Sequence, residues 1–483
     1  MSKFSDYLKE LIEKRNETIA SIARGSGTER TSIHKALNNG RILPYKVVQN
    51  LASYLQLSLD ERREFFRLYD MLVQGEDVWY NRAAVCELLN QLSAIQFPSD
   101  GKAGQDAALS SVSIDIKDGL IEGEYSVQNM LYALLSKEAG LDTDACFQLF
   151  LPSGTDLSRT LMQLWHNGLR FNADQIFCFP SAVNTDSPHS VKILQKIIPM
   201  SLIARDSYHP YYFYEHSSFL TTSPLSYYII TPHYLVLLSE DHSKAFIQTS
   251  ERLIKVFSDH FRGLMEYCEP LVSYSTTLQE IMESCSAIIN PRGSLYLMPQ
   301  PCFGHYYTPE MIAKYLRPDN GFTEDMYNAV LQYFSMIQTV KNNFHTIFSE
   351  KGLQYFVETG IITELPQDFV LPVDRQDRIR LLSRLRDDIT FGRITGRIAH
   401  PSSMHIPDYL TLVIDMNGNA WFDTTADFIH GAYYCDIHLS EKSACTAFQD
   451  FFQSLPGSQL VYSQEETLQI LNKYIQRLKD TQQ

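Results

Sequence analysis

A short run of basic and hydrogen-bonding side chains, from Arg30 to Lys35, carries the most informative chemistry in the sequence. Arg and Lys supply positive charge to phosphates, and Ser, Thr and His can hydrogen-bond to base edges. The apolar residues Ile33, Ala36 and Leu37 recur at helical spacing and predict a helix that buries one face. The residues left on the outer face are Arg30, Thr31, Ser32, His34 and Lys35. We expect this face to suit the major groove of DNA.

A second short helix precedes this run, and a tight turn joins the two. Thr18 and Thr28 are predicted to cap the first and second helices, because short polar side chains accept hydrogen bonds from free helix-start amides. Gly25 and Gly27 are predicted to form the turn, and Gly40 to end the second helix. The predicted DNA contacts are Thr28, Arg30, Thr31, Ser32, His34, Lys35, Asn38 and Arg41. The alternative is an ordinary helical hairpin with a solvated basic face.

Residues 16–43 resemble the helix-turn-helix of the phage Cro and repressor class, also called the xenobiotic-response-element type. Ala23, Gly27, Ile33 and Leu37 stand where that pattern has a small residue, a turn glycine and two core aliphatics. The resemblance covers roughly the first 70 residues. It implies an all-α, lambda-repressor-like head that binds double-stranded DNA as a homodimer.

The flanking sequence predicts the further helices that such a head requires. Apolar residues at helical spacing predict one helix over residues 3–15 and another over 47–55. Ser58 and Glu61 form a capping-box pattern at the start of a fifth helix. The run from 18 to 40 also resembles the opening of the lac-repressor family. That family begins almost directly with the hairpin, whereas a whole helix precedes it here, so the Cro-repressor type is favoured.

Charge is distributed unevenly along the 483 residues. The formal net charge is −15, yet residues 1–70 carry +3 and the remainder −18. A small basic segment joined to an acidic body fits a DNA-binding head attached to a region that does not bind DNA. No run of 18 apolar residues is present and the N-terminus is amphipathic and charged, so we expect a cytoplasmic protein without a membrane span.

The remaining sequence predicts a multidomain chain. The expected divisions are a helix-turn-helix domain (1–73), a connecting helix and linker (74–111), an α/β sensor or dimerisation domain (112–270) and an α+β C-terminal sensor domain (271–483). In the α/β domain, strands alternate with helices, which favours a largely parallel sheet. We also predict a strand over 112–116 and a helix over 276–288.

In the α+β domain, residues 323–350 are predicted to form one long helix. Residues 409–422 are predicted to form a hairpin with a two-residue turn at Asn417-Gly418. No repeat of fixed period is evident, which disfavours a helical-repeat solenoid.

Catalytic, metal and cofactor sites are not predicted, and we expect the chain not to be an enzyme. His242-Ser243-Lys244 is an H-x-K as in phospholipase D-type sites. Those sites have an Asp after four further residues, where this chain has Thr249. The segment is more simply a polar turn between two strands. Glycine-rich phosphate-binding loops are absent from the sequence.

Two aromatic-rich segments are candidates for an effector site. Their predicted ligand-binding residues are Tyr208, Tyr211, Tyr212, Tyr214, His305 and Tyr306. Aromatic rings with a few polar groups can line a pocket for a small molecule or peptide. They can equally belong to the core or to an interface, and this alternative is favoured.

The sequence therefore predicts a sequence-specific, DNA-binding transcriptional regulator whose large C-terminal region senses a signal or dimerises. Two alternatives stay open. One is a peptide-pheromone-type receptor regulator, whose body would be a helical repeat. The other is a DNA-targeted enzyme with an unrecognised active site.

Overall fold

The computed structural model describes residues 2–95, 97, 116–141, 144–151, 157–179, 189–214, 226–275, 280, 293–317, 324–339, 344–365, 370–424 and 435–480. The predicted linker at 98–111, nearly all of the predicted strand at 112–116 and nearly all of the predicted helix at 276–288 lie outside these residues. The described residues form two compact units, and the division falls after Ala83.

The first unit is helical. Its helices are α1 (Lys3–Lys14), α2 (Ile19–Ser26), α3 (Arg30–Asn39), α4 (Tyr45–Tyr54) and α5 (Leu59–Gln74), and α6 (Glu76–Ser93) begins within it. One core of apolar side chains, including Phe4, Leu8, Ile33, Leu51 and Phe65, holds α1 to α5 together. The helix boundaries follow the 3.6-residue spacing of these side chains.

Helix caps agree with the sequence in part. Thr18 and Ser58 both form capping boxes, with Ser21 and Glu61 respectively. Gly27 and Gly40 have positive φ angles of 66° and 64° and end α2 and α3. Two predictions are wrong. Gly25 lies inside α2, and the residue that precedes α3 is Glu29, so Thr28 does not cap that helix.

The second unit is built on two sheets, which follow the helical region along the chain. The strands of the first sheet are β1 (Gly119–Glu122), β2 (Cys146–Phe150), β3 (Asn172–Phe179), β4 (Tyr208–Tyr214), β5 (Tyr227–Ile230), β6 (Leu235–Leu238), β7 (Lys244–Gln248) and β8 (Glu269–Pro270). Its helices are α7 (Glu124–Leu141), α8 (Leu157–His166), α9 (His189–Ala204) and α10 (Glu251–Met265).

The strands of the second sheet are β9 (Val272–Ser275), β10 (Ser294–Met298), β11 (Phe344–Phe348), β12 (Thr395–Ile398), β13 (Leu410–Asp415), β14 (Ala420–Thr424) and β15 (Cys435–Leu439). The described helices that accompany it are α11 (Pro309–Tyr315), α12 (Glu324–Thr339), α13 (Glu350–Thr359), α14 (Arg375–Thr390), α15 (Lys442–Ser454) and α16 (Gln464–Asp480).

The two sheets share one topology. The first has the order β1-β7-β6-β5-β2-β3-β4-β8, and the second, read from its other edge, has the order β9-β15-β14-β13-β10-β11-β12. Each strand of the second sheet is thus the counterpart of the first-sheet strand numbered eight lower. In both sheets the three strands at one side pair in parallel, and the remaining strands pair antiparallel. The second unit therefore contains a structural duplication that no sequence period revealed.

The structure differs from several predictions for the second unit. The first sheet is mixed, because only β2–β3 and β3–β4 pair in parallel. The helix predicted over 323–350 stops at Thr339, and residues 344–348 form the buried parallel strand β11. The hairpin of β13 and β14 is present, but the bond from the Asp415 amide to the Asn419 carbonyl, 3.1 Å long, encloses a three-residue loop.

The sheets and helices of the second unit form successive layers. One face of the first sheet carries α7, α8 and α9, and the opposite face carries α10. One face of the second sheet carries α15, which packs with α7 to α9 in one apolar core between the two sheets, called the central core below. The other face of the second sheet carries α13, α14 and α16. Val85, Leu88 and Leu92 of α6 are also fully buried in the central core. None of the described helices is both long and apolar enough to cross a membrane.

Candidate nucleic-acid interface

Helix α3 is held in place by buried contacts on its inner face. Ile33, Ala36 and Leu37 are buried in the core of the first unit. The Ser5 hydroxyl of α1 donates to the Ala36 carbonyl at 2.6 Å. At the end of the preceding helix, the Asn50 side chain donates to the Ser26 carbonyl at 3.1 Å. These bonds connect α3 and the turn before it to α1 and α4, so the outer face of α3 has a defined orientation in this unit.

The eight predicted DNA-contact residues lie on the outer face of α3 or at its two ends. Arg30, Thr31, His34, Lys35, Asn38 and Arg41 are exposed, and Thr28 and Ser32 are half-buried. The side-chain amide of Asn38 lies 3.3 Å from the His34 ring, so these two groups are ordered against each other. The structure therefore brings the predicted set together on one surface.

The charge on this surface is not neutralised within the unit. Within the described residues, no carboxylate oxygen is within ion-pair distance of Arg30, Lys35 or Arg41. Arg24 on α2 and Lys46 on α4 are also exposed, with no ion pair in the part of the chain that the structure describes, and residue-by-residue selection missed them. The sequence signal for both was the excess of basic residues over 14–46.

Two acidic side chains of this unit, both on α5, are paired with basic side chains away from α3. Glu61 accepts hydrogen bonds from Lys14 at 2.8 Å and from Arg15 at 2.6 Å. Together with the Ser58 amide, these donors lower the pKa of Glu61 to about 2. Glu64 is likewise paired with Arg67 on the same helix. The exposed Glu29 directly precedes α3, and the Thr31 hydroxyl lies 3.5 Å from its carboxylate, so the α3 surface is mainly but not wholly basic.

The tyrosines predicted to bind an effector lie on β4 in the second unit. Tyr208, Tyr212 and Tyr214 face the central core, and Tyr211 faces α10 on the other side of the sheet. Their hydroxyls are used internally: Tyr208 donates to Gln175 at 2.7 Å, and Tyr212 donates to Glu269 at 2.9 Å. These positions match the core alternative for aromatic residues.

His305 and Tyr306 lie in a separate place, after β10. Both are buried, and the His305 ring is 4.1 Å from that of Phe344. A cavity of about 40 Å³ lies beside them, lined by apolar side chains that include Tyr307 and Phe334. This volume is far below the several hundred Å³ of a typical small-molecule site. The structure does not bring the two aromatic segments into one pocket.

The H-x-K segment forms a polar turn between β6 and β7, as predicted. The Asp241 carboxylate accepts from the Ser243 amide at 3.0 Å and from the Ser239 hydroxyl at 2.7 Å, which stabilises the turn. Lys244 lies 3.5 Å from Glu122. Within the residues the structure describes, no group of three or more His, Cys, Asp or Glu side chains could hold a metal ion.

One cluster of buried and half-buried acidic residues was not found from the sequence. Asp423 and Asp436 lie opposite each other on β14 and β15 and hydrogen-bond through their side chains. Burial and the neighbouring carboxyl of Asp436 raise the pKa of Asp423 well above its ordinary value. Burial also raises the pKa of the nearby Glu364 to about 7. Cross-strand register, which sequence spacing does not reveal, creates this arrangement.

Comparison with known proteins gives distant similarities only. No family model and no curated protein matches the chain. Among solved structures, it is similar to TrmBL2, an archaeal chromatin protein described as showing a novel mode of DNA binding (11% identity, 55% of this chain, 99% of that chain, TM-score 0.23). It is also similar to a phosphatidylserine synthase from Haemophilus influenzae Rd KW20 (9%, 83%, 98%, 0.24). A third similarity is to the polyphosphate kinase from Porphyromonas gingivalis (10%, 77%, 57%, 0.23). The chain spans little more than half of that kinase, and all three TM-scores are too low to assign a fold or a function.

Proposed function

We propose that the helical unit is a lambda-repressor-like DNA-binding domain and that the chain is a sequence-specific transcriptional regulator. The observation that carries the proposal is the surface of α3. Its inner face is fixed by buried apolar residues, and its outer face presents Arg30, Lys35 and hydrogen-bonding side chains, with no ion pair to Arg30 or Lys35 among the described residues. A rigid helix with that outer face can enter a major groove, contact phosphates and read base edges.

The second unit is proposed to sense a signal or to hold two copies together. We propose that it acts by binding rather than by catalysis. This is supported by the H-x-K turn, in which Lys244 is close to Glu122 and Thr249 replaces the required carboxylate. The peptide-pheromone alternative is not favoured, since a helical-repeat body would not contain two mixed sheets.

The proposal is tested by fluorescence anisotropy with a labelled duplex selected by the protein. Arg30→Ala and Lys35→Ala are expected to weaken specific binding by about 1–3 kcal/mol each if they read bases. If either side chain contacts a phosphate instead, its removal should reduce the slope of log binding constant against log salt concentration by about 0.9.

Arg63→Ala is the matched control, because Arg63 is an exposed arginine of the same unit on α5. It removes the same charge and should leave affinity within about twofold. Unchanged binding in both α3 variants would contradict the proposed surface.

A further inference from the structure

Helices α10 and α15 are counterparts in the structural duplication. Helix α10 follows β7, and α15 follows β15, the counterpart of β7. Helix α10 packs on β2 and β5, and α15 packs on β10 and β13, which are their counterparts. The two helices therefore occupy the same position on the same face of equivalent sheets.

The two helices differ in how their outward sides are covered. Helix α9 packs on α15, and six residues of α15 are buried: Ala444, Cys445, Ala447, Phe448, Phe451 and Phe452. In α10 only Phe261 is buried. Nothing in the described part of the chain covers α10 in the way that α9 covers α15.

The outward side of α10 has exposed apolar residues in addition to those that pack against its sheet. Ile254, Phe257 and Leu264 pack against the sheet. Beside them, Leu253 and Val256 near the start of α10 are 38% and 55% exposed, and Tyr267, two residues past its end, is 76% exposed. His260 and Gly263 lie between them on the same side of the helix. A helix that covers one sheet needs only one apolar stripe, so these additional residues indicate a partner surface.

Charges beside these exposed residues are self-complementary. Lys255, Asp259 and Arg262 follow one another along the adjacent side of α10, Glu266 directly follows the helix, and the signs of these four charges alternate. Arg262 pairs with Asp259 of its own helix at 2.6 Å, and in an antiparallel pair of identical helices Lys255 would face Glu266 of the other copy. Lys255 and Glu266 have no ion pair within the described residues, so both are available. A twofold interface requires a surface of this kind, in which each residue meets its complement.

We propose that the exposed side of α10 is a dimerisation surface and that its occupant is α10 of a second copy, running antiparallel. In this register Leu253 and Val256 of each copy lie near Tyr267 of the other and supply the apolar contacts, and Lys255 with Glu266 sets the direction of the partner helix. A single helix pair buries less than the roughly 800 Å² per partner of a typical stable interface. We therefore expect a reversible dimer whose formation depends on protein concentration.

The test is sedimentation equilibrium of the full chain over a range of concentrations. Val256→Asp is expected to raise the dimer dissociation constant by at least about tenfold, because each copy would bury a charge in its apolar contact with the other. Leu141→Asp is the matched control at a leucine on α7 that is 65% exposed, and it should not change the constant. Circular dichroism spectra identical to that of the unsubstituted chain would show that both variants are folded.

The direction of pairing is tested by charge exchange. Lys255→Glu and Glu266→Lys should each weaken the homodimer, because each places like charges opposite one another twice. The double variant should recover the original constant, and an equimolar mixture of the two single variants should form mixed dimers preferentially. The proposal is overturned if the unsubstituted chain stays monomeric, if Val256→Asp leaves a dimer unchanged, or if the double variant fails to recover. None of these outcomes depends on DNA binding by the first unit.

Discussion

Gly25 offers a sensitive test of how α2 packs in the first unit. It lies inside the helix, where alanine is normally preferred by about 1 kcal/mol. However, a Cβ added at this position would lie 1.9 Å from Cε2 of Tyr54 on α4. The ring would have to leave its position against α2, and overpacking of this kind costs about 1–3 kcal/mol. We therefore expect Gly25→Ala to destabilise the α2–α3 region by about 1 kcal/mol.

Hydrogen exchange of peptides from residues 16–43, followed by mass spectrometry, measures this local stability. In a Tyr54→Ala background the clash is absent, and the same substitution should instead stabilise the region by up to about 1 kcal/mol. Gly140→Ala on α7 is the control, because its nearest neighbour, Leu169, would be 4.0 Å from the added Cβ. If Gly25→Ala is stabilising in both backgrounds, the packing of Tyr54 on α2 described above is incorrect.

Two further predictions follow from buried and capping groups. Burial raises the pKa of Glu364 from 4.5 to about 7, so the stability it contributes is present below pH 4.5 and is lost as the pH rises through 7. At ~1.4 kcal/mol per pH unit, Glu364→Gln should reduce the pH dependence of the free energy of unfolding by up to about 3 kcal/mol. Denaturant unfolding at pH 5 and pH 8 measures this change, and an unchanged pH dependence would contradict the prediction. Thr18→Ala should cost about 1 kcal/mol through loss of the capping box, seen as faster hydrogen exchange at the start of α2. Equal exchange rates would show that Thr18 does not stabilise this end.

The helical unit could be predicted from sequence because local rules dominate there. Apolar spacing located its helices, and Ser58 with Glu61 identified a start that the structure confirms. The errors at Gly25 and Thr28 have a tertiary origin. The glycine is explained by close approach of Tyr54, which is distant in sequence. Similarly, the arrangement of the predicted contact residues on one surface followed from helical periodicity, whereas their lack of ion pairs required the structure.

The body was less predictable because its strands are short and mostly buried. Phe344–Phe348 has apolar residues at positions that fit either a helix or a strand, so it was predicted to be part of the helix over 323–350. The duplication was hidden because counterpart strands share little beyond apolar character: β2 reads CFQLF and β10 reads SLYLM. A buried strand requires suitable volume more than particular residues, so the topology can persist while sequence similarity is lost.

The most direct test of the account is in vitro selection of random DNA duplexes by the full-length protein. We predict enrichment of one motif, palindromic or repeated if two copies bind, and loss of that enrichment in the Arg30→Ala, Lys35→Ala double variant but not in Arg63→Ala. Failure of the folded protein to retain or enrich any duplex at low salt would contradict the central claim that the α3 surface binds DNA.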